Sequence, residues 1–339
     1  MSKSPILPIG KVSKDVLERL VFTCLGTPSD RLIIGPKVGE DAALIDMGDK
    51  ILIAKANPIT GAINRIGWLA VHVNANDVAV RGARPLWYMS IVFLPEGSKE
   101  SLLETIMKDQ HKACNEIGIC VVGGHTEVAP DLNRPIIAGF MMGEVSKERF
   151  ISTGGARPGD LIILTKGAGI EGTGIIANDL EDQLRTKVKP DVIDKGKLFL
   201  NRISVLEEAL TASSIGGVTS IHTPTEGGVL NGLLEIANAS GSGFRIYAEK
   251  LLVADETRII CEALGIDPLR LLSSGSLLIV AKPDAIEQVL YALIKKGINA
   301  SIIGEFKEGE SIIVDQNGVE SPAVFVEQDE LFRILEETQ

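Results

Sequence analysis

Two adjacent acids, Glu40 and Asp41, stand where a glycine-rich turn leads directly into an apolar run, in the segment GPKVGEDAALID at 35–46. The apolar run predicts a strand with at least one buried face. A carboxylate beside a buried face is costly unless a cation or hydrogen-bond donors meet it. The segment therefore predicts a partner for Asp41, and a surface turn with solvated acids is the alternative.

A third acid, Asp77, lies in the run INRIGWLAVHVNANDVAVRG at 63–82. Apolar residues precede it at steps of three and four, and this spacing places Asp77 on the buried face of a helix. An acid on a buried face is costly without a ligand or a partner of opposite charge. We therefore expect Asp77 to bind a ligand or a metal ion, and an ion pair with Arg81 or Arg84 is the structural alternative.

Two glycine pairs stand where a phosphate could bind. The apolar segment 119–122 predicts a buried strand that leads into Gly123 and Gly124, and glycine allows backbone N–H groups to face an anion. Gly227 and Gly228 precede an amphipathic helix, whose N-terminal N–H groups and dipole favour an anion. An ordinary turn or helix cap is also compatible with each pair, so neither motif is specific alone.

The length and composition indicate a folded protein with two domains. A chain of 339 residues exceeds the size at which one hydrophobic core usually keeps growing. The run TGGARPGD at 153–160 combines glycine, proline and charge, as linkers between domains do. We therefore expect an N-terminal domain over 1–155 and a C-terminal domain over 156–339. Strands alternate with helices, which predicts the α+β or α/β class.

Hydrophobic periodicity predicts the positions of the main elements. Helices are predicted at 14–25, 63–82, 99–117, 197–212, 230–240, 255–264 and 284–295. Strands are predicted at 31–34, 42–45, 51–54, 86–94, 119–122, 135–145, 161–166, 243–247, 275–280 and 300–305. The first three strands are expected to form the sheet that presents Asp41.

Charge and cysteine usage argue against several classes of protein. The net charge is −11 and no dense basic run occurs, so a nucleic-acid partner is not expected. The four cysteines lie in apolar surroundings without CxxC spacing, which predicts reduced core thiols in a cytoplasmic protein. The N-terminal sequence has no long apolar core, so we expect neither a signal peptide nor a membrane span.

Six short motifs, in order over nearly the whole chain, resemble one superfamily. They are GEDAALID at 39–46, NDVAVRGARP at 76–85, GGHTEV at 123–128, RPGD at 157–160, EGTG at 171–174 and PTEGG at 224–228. Their order and spacing resemble the aminoimidazole ribonucleotide synthetase (AIR synthase) superfamily, which includes the hydrogenase maturation factor HypE, selenophosphate synthetase and thiamine-monophosphate kinase. The runs GKVSKD at 10–15 and Pro-Ile-Thr at 58–60 are most similar to the HypE-like subgroup.

The resemblance implies an N-terminal α+β domain that pairs with its copy in a homodimer and closes a β-barrel, with a C-terminal α/β domain beside it. It also implies ATP near the dimer interface, with Mg²⁺ held on the phosphates by acids. The metal ligands that match are Asp41 and Asp77, and Glu40 and Asn57 are further candidate ligands beside them. The phosphate-binding residues that match are Gly123, Gly124 and Thr126, and Gly39, Gly227 and Gly228 are further candidates for binding the cofactor. His125 and Glu127 lie where a catalytic acid or base could act.

Several features depart from the superfamily pattern. Asn57 stands where an acid usually precedes the Pro-Ile-Thr run, and Thr223 stands where the second domain often has aspartate. An amide oxygen binds Mg²⁺ more weakly than a carboxylate, so the number of metal ions and the competence for ATP turnover stay open. The chain ends LFRILEETQ, without the terminal cysteine on which HypE carries its carbamoyl and cyano group, and its first cysteine is Cys24. We therefore expect neither the HypE carrier reaction nor selenophosphate synthesis.

Two functions follow from these patterns. The first is an ATP- and Mg-dependent enzyme, similar to a ligase or kinase, that phosphorylates or otherwise activates an oxygen of a small molecule or partner group. The second is a nucleotide-binding maturation or scaffold protein with little or no turnover, which the residues Asn57 and Thr223 favour. In both cases we expect a cytoplasmic homodimer that binds neither a membrane nor nucleic acid.

Overall fold

The computed structural model describes residues 6, 7, 10 and 12–337. The strands are β1 (Leu32–Ile34), β2 (Ala43–Asp46), β3 (Lys50–Ile59), β4 (Arg84–Pro95), β5 (Cys120–Ala129), β6 (Ile136–Ser146), β7 (Leu161–Thr165), β8 (Val218–His222), β9 (Gly243–Tyr247), β10 (Leu277–Ala281), β11 (Ala300–Lys307), β12 (Ile312–Val314) and β13 (Glu320–Pro322). The α-helices are α1 (Lys14–Val16), α2 (Ile66–Ala79), α3 (Glu100–Ile117), α4 (Ile170–Asp179), α5 (Glu181–Leu184), α6 (Pro190–Lys197), α7 (Leu206–Ser213), α8 (Gly228–Ser240), α9 (Asp255–Leu264), α10 (Ile286–Lys295) and α11 (Glu330–Glu337). A π-helical turn covers Leu17–Val21, and 3₁₀ turns cover Thr153–Gly155, Leu198–Arg202, Ala248–Lys250 and Pro268–Arg270. Within the described residues, no helix is both long enough and apolar enough to cross a membrane.

The first half of the chain builds a six-stranded sheet in the order β1-β2-β3-β6-β4-β5. Its pairs are antiparallel except β4 and β5, which run parallel because the helix α3 carries the chain back between them. The strand β3 pairs with β6 over its full length, from Lys50 opposite Ser146 to Ile59 opposite Ile137. These two long strands form the centre of the sheet.

The helix α2 lies between this sheet and the rest of the molecule. It packs against β3, β6, α3 and α7, and all of its residues are buried, including Asp77. The prediction of a single buried face is therefore too narrow. Because alternate residues of a strand share a face, Lys55 and Asn57 of β3 lie on the same side as the buried Ile51 and Ile53.

The second sheet has seven strands in the order β13-β12-β9-β11-β7-β10-β8, with helices on both faces. In the interior strand β10, Leu278 and Val280 pack in one core with α8. The alternate residues Leu277 and Ile279 pack in another core with α7 and α10. The strand β10 is thus buried on both faces, although it pairs antiparallel with β7 and β8. Together, the two sheets confirm the predicted α+β or α/β class.

The segment between the two sheets is packed rather than extended. Thr153 is buried, and its carbonyl oxygen accepts a hydrogen bond from Ser220 Oγ at 2.7 Å. A Cβ on Gly155 would lie only 1.8 Å from the carbonyl oxygen of Thr219. The division into domains at 155 and 156 stays a prediction.

The strand β5 differs from its prediction. It is exposed along nearly its whole length and continues through Gly123 and Gly124 to Ala129. The prediction of a buried strand that ends before the glycine pair is therefore wrong, because β5 lies at the edge of the sheet. A Cβ on Gly124 would lie 2.5 Å from the carbonyl oxygen of Ser90. A close approach of two strands thus explains this glycine.

Most other predicted elements are present, and their differences lie mainly at the ends. The predicted helix at 14–25 consists of α1 and a π-helical turn, and the predicted helix at 197–212 divides into a 3₁₀ turn and α7. The prediction missed β8, β12, β13, α4, α5, α6 and α11. The strands β12 and β13 have three residues each, which is too short to show a hydrophobic period.

The cysteines only partly follow their prediction. All four are free thiols, and Cys114 and Cys261 are buried. Cys24 and Cys120 are exposed, so the prediction of four core thiols is wrong for these two. The reason for Cys120 is its place at the start of an edge strand, where no second layer covers it.

Candidate functional site

Asp77 lies where α2 meets both β3 and the end of β8. Lys55 Nζ is 3.0 Å from Asp77 Oδ2, and Asn57 Nδ2 donates to the same oxygen at 3.3 Å. Thr223, which directly follows β8, donates from Oγ1 to Asp77 Oδ1 at 3.1 Å. Both carboxylate oxygens therefore have donors, which come from both sheets.

Arg81 follows α2 and joins the two halves of the molecule. Its side chain is fully buried, and its Nη1 and Nη2 donate to Glu40 Oε2 at 3.0 Å and to Asp41 Oδ2 at 2.8 Å. Nη2 also donates to the carbonyl oxygen of Ile221 in β8 at 2.8 Å. The two adjacent acids thus meet a buried cation. This confirms that Asp41 has a partner, and the alternative of a solvated turn is wrong.

The partner of Asp77 is a lysine that the sequence pattern did not indicate. The predicted alternative of an ion pair with Arg81 or Arg84 is wrong, because Arg81 binds the acids at 40 and 41. Lys55 reaches Asp77 because it lies on the face of β3 that packs on α2. The Lys55 side chain remains 21% exposed, whereas that of Asp77 is 4% exposed. A molecule from solvent therefore meets Lys55 before Asp77.

His222, the last residue of β8, is held between two carboxylates. Its Nδ1 lies 2.9 Å from Asp41 Oδ2, and its Nε2 lies 2.7 Å from Glu235 Oε2 on α8. Both ring nitrogens donate, since ionised carboxylates only accept, and the imidazole is therefore cationic. Burial by itself would lower the pKa of His222, but the charges and hydrogen bonds of the two carboxylates outweigh burial and raise it to about 10.

The two aspartates of the site titrate in opposite directions. Burial by itself would raise the pKa of Asp41, but the charge and hydrogen bond of His222, together with Arg81 and Lys55, hold it well below its usual range. Burial also acts on Asp77, where the charge of Lys55 offsets it only in part and Asp41 adds to it, so the pKa of Asp77 is raised. Carboxylates shifted apart in this way are common at functional sites.

Gly39 brings the loop that carries the two acids against α8. Its φ of +86° lies in the left-handed region that glycine favours, and a Cβ there would lie 3.1 Å from the carbonyl oxygen of Glu235. This close approach allows Glu40 and Asp41 to reach Arg81. The predicted contact of Gly39 with a cofactor stays a prediction.

The residues of the predicted phosphate loop lie at the far edge of the first sheet. His125 Nε2 is 3.0 Å from Glu127 Oε2, and both side chains are exposed on β5, as is Thr126. The strands β6 and β4 separate β5 from β3, which is roughly 14 Å at ordinary strand spacing. One copy of the chain therefore does not bring His125 to Asp77. The catalytic and cofactor-binding roles on β5 stay predictions.

Gly227 and Gly228, where the sequence predicted a bound phosphate, lie at the N-terminus of α8. This site is occupied by a carboxylate of the same chain. The N–H of Gly227 donates to Asp329 Oδ2 at 2.6 Å, and those of Leu272 and Leu331 donate to Asp329 Oδ1 at 3.2 and 2.8 Å. The N-terminus of α8 thus binds an anion, as the N–H groups and dipole of a helix N-terminus favour. The sequence pattern could not identify that anion, because Asp329 lies 102 residues further along the chain than Gly227. A phosphate at Gly227 and Gly228 stays a prediction, and it would have to displace this carboxylate.

The acids predicted to hold Mg²⁺ already have partners. In the part of the chain that the structure describes, no group of three or more His, Cys, Asp or Glu residues is placed to hold a metal ion. Both oxygens of Asp77 accept hydrogen bonds, and Arg81 and His222 share one oxygen of Asp41. Asn57 turns its N–H group, rather than its oxygen, toward Asp77. As arranged, this donor set does not fit Mg²⁺, which requires several oxygen ligands.

Comparison with known proteins defines the class of protein. A model of the N-terminal domain of AIR synthase related proteins matches residues 39–145, and a model of their C-terminal domain matches residues 157–316. These matches cover well over half of the chain. The chain therefore belongs to the AIR synthase related family.

Similar sequences include proteins named for hydrogenase expression and formation. A protein of Methanocaldococcus jannaschii, provisionally named a hydrogenase expression/formation protein, is 30% identical over 314 residues, which are 90% of this chain and 91% of that protein. The carbamoyl dehydratase HypE of Rhodobacter capsulatus is 28% identical over 310 residues, which are 87% of this chain and 86% of HypE. These similarities confirm the likeness to the HypE subgroup.

Solved structures show the same fold. A chain of the HypE–HypF complex matches with a TM-score of 0.77 and 26% identity, over 92% of this chain and 99% of its own. HypE in complex with ATP matches with a TM-score of 0.69 and 25% identity, over 96% of this chain and 98% of its own. A ThiL structure with AMPPCP and TMP has a TM-score of 0.72 at 21% identity, covering 95% of this chain and 98% of its own, and it shows the fold alone.

Proposed function

We propose that the protein binds ATP and uses it to activate an oxygen of a small molecule or of a group carried by a partner protein. The observation that carries this proposal is the pair of Lys55 and Asp77, in which a buried acid holds a partly exposed ammonium between the two sheets. The likeness to HypE in complex with ATP supports the choice of nucleotide. The HypE of Rhodobacter capsulatus is named a dehydratase, and a dehydration requires an oxygen to become a leaving group.

The residues of the site would act by positioning and by charge. Asn57 and Thr223 orient Asp77, which in turn holds Lys55. Arg81 fixes the loop that bears Asp41. Phosphoryl transfer asks mainly for alignment and for stabilisation of charge on the phosphate oxygens. An ammonium that is held in place before the ligand arrives supplies such stabilisation.

The resemblance implies Mg²⁺ beside the nucleotide. A bound Mg²⁺ would supply positive charge that neutralises the phosphates. The donors around Asp41 and Asp77 do not fit it as they are arranged, so we assign no step of the proposed reaction to a metal.

We also propose a cytoplasmic homodimer that forms along β5. An edge strand presents unpaired backbone groups, and this one carries Val121, Val122 and Val128, each about half exposed. A second copy would cover these residues and extend the sheet toward the barrel that the resemblance implies. The same pairing would bring His125 and Glu127 of one copy to an interface.

The second candidate is a nucleotide-binding scaffold with little turnover. The amide of Asn57 and the hydroxyl of Thr223 favour it, because they replace acids of the superfamily pattern. The HypE–HypF complex shows that a similar protein binds a protein partner.

Calorimetric titration with AMPPCP, followed by phosphate release from ATP with and without carbamoyl, amide and carboxylate compounds, tests both candidates. Binding with turnover supports the enzyme, and binding without turnover supports the scaffold. Asp77→Ala is expected to weaken AMPPCP binding by about tenfold, whereas the exposed control Asp194→Ala leaves it unchanged. No binding to the wild-type chain would refute both candidates. A large loss of thermal stability with unchanged affinity would make Asp77 a structural residue only.

A further inference from the structure

The acids that would bind a metal in this family already hold basic side chains in this chain, and one of these side chains can reach a ligand. We infer that Lys55, rather than a divalent cation, is the positive charge that the site offers to the phosphates of the nucleotide. Asp77 holds that charge in place. The inference rests on the proposed function, because it concerns the same nucleotide.

Exposure distinguishes Lys55 from the other two cations of the site. The side chain of Arg81 is fully buried, and that of His222 is 2% exposed. Each of these two is bound by carboxylates on more than one side. Lys55 is 21% exposed and has Asp77 as its ion-pair partner. Of these three cations, Lys55 is the one that an incoming phosphate can contact.

The residue at position 57 sets the local charge. A carboxylate there would place a second negative charge beside Asp77, and two acids together attract a divalent cation. Asn57 has no charge and donates its N–H group to Asp77 at 3.3 Å. The single negative charge of Asp77 is then matched by the single positive charge of Lys55, so this pair carries no net charge.

The chemistry of the ammonium suits a phosphate. Lysine is a common phosphate ligand because its ammonium is a compact charge with three N–H donors. The hydrogen bond to Asp77 uses one of these donors. The other two donors are then available to phosphate oxygens, and the backbone of Lys55 is held in β3 by its pairing with β6.

The test is calorimetric titration of the full chain with AMPPCP in excess EDTA and in excess Mg²⁺. The wild-type Kd should differ by less than about threefold between the two conditions. Lys55→Met should weaken binding in EDTA by about tenfold or more, since it keeps the length of the side chain but removes its charge. Lys55→Arg should recover most of the affinity. The double variant Asn57→Asp with Lys55→Met should bind in Mg²⁺ and not in EDTA.

Lys50→Met is the matched control, because Lys50 lies on the same strand and pairs with Glu144 at 2.6 Å, away from the site. It should leave the affinity unchanged in both conditions. If the wild type binds AMPPCP in excess Mg²⁺ but not in excess EDTA, the inference is overturned and the proposed function still stands. Unchanged binding of Lys55→Met in EDTA would also overturn it, provided that its thermal unfolding shows a folded protein. If the wild type binds in neither condition, the proposed function itself fails.

Discussion

Replacing Glu171 by glutamine should remove a large part of the pH dependence of stability. Glu171 lies in the first turn of α4 and is 8% exposed. Burial raises the pKa of its carboxyl to about 7, a hydrogen bond with Ser274 opposes this, and the nearby acids Asp329 and Glu226 raise it further. The carboxyl therefore stays protonated in the folded protein at pH values where the unfolded chain has released its proton.

The sign and size of the pH effect follow from the difference between the pKa of Glu171 in the folded protein and in the unfolded chain. The ordinary pKa of 4.5 applies to the unfolded chain, and the folded value is about 7. Between these values the folded state binds more protons, so the free energy of unfolding falls as the pH rises. From pH 5 to pH 8, Glu171 alone should lower it by about 3 kcal/mol, at about 1.4 kcal/mol for each pH unit below 7. Above about pH 8 its contribution is constant.

The assay is urea denaturation at several pH values between 5 and 8, followed by tryptophan fluorescence. Between pH 5 and pH 8, the free energy of unfolding of Glu171→Gln should fall by about 3 kcal/mol less than that of the wild type. A smaller dependence should remain, because burial also raises the pKa of Asp329, to about 6. The control is Glu207→Gln, since Glu207 is exposed and pairs with Lys296 at 3.0 Å on the surface. Equal slopes for the wild type and Glu171→Gln would refute the reasoning.

Three further variants test other parts of the structure. Arg81→Met should lower the free energy of unfolding by about 3–5 kcal/mol, because it leaves two buried acids without their cation, and urea denaturation measures the loss. Gly155→Ala should sharply reduce the yield of folded protein, because its Cβ would lie 1.8 Å from the carbonyl oxygen of Thr219, whereas Gly216→Ala, with no atom within 4 Å, should change the melting temperature little. Val128→Glu should convert a dimer to a monomer in light scattering if β5 forms the interface, and a mass that does not change would contradict that interface.

The sequence indicated that the acids need partners but could not identify all of them. Asp41 follows a turn beside an apolar run, and this local pattern predicts burial. Its partners Arg81 and His222 lie 40 and 181 residues away, and their approach depends on how the two sheets pack. The prediction of the wrong partner for Asp77 has a similar cause. Its helix offered nearby arginines, but the contact with Lys55 depends on the placement of β3 against α2.

The glycine pairs show why local patterns were ambiguous. Gly123 and Gly124 stand inside an edge strand, whereas Gly227 and Gly228 stand at the start of a helix. Glycine marks a backbone that approaches another group closely or has unusual φ, and either condition occurs in turns, strands and helix ends. Long elements such as α2, β4 and β6 were predicted well because their apolar residues repeat over several turns or alternations.

The buried contacts of Arg81 have a consequence for how the chain unfolds. Its guanidinium binds a loop of the first sheet and the backbone of β8 in the second. Separating the sheets would leave this charge and its acids without partners, at a cost of several kcal/mol. We therefore expect a single calorimetric transition, with a van't Hoff enthalpy equal to the measured one. The regions that match the two family models adjoin near residue 150. The contacts of Arg81 nevertheless make the stability of each region depend on the other.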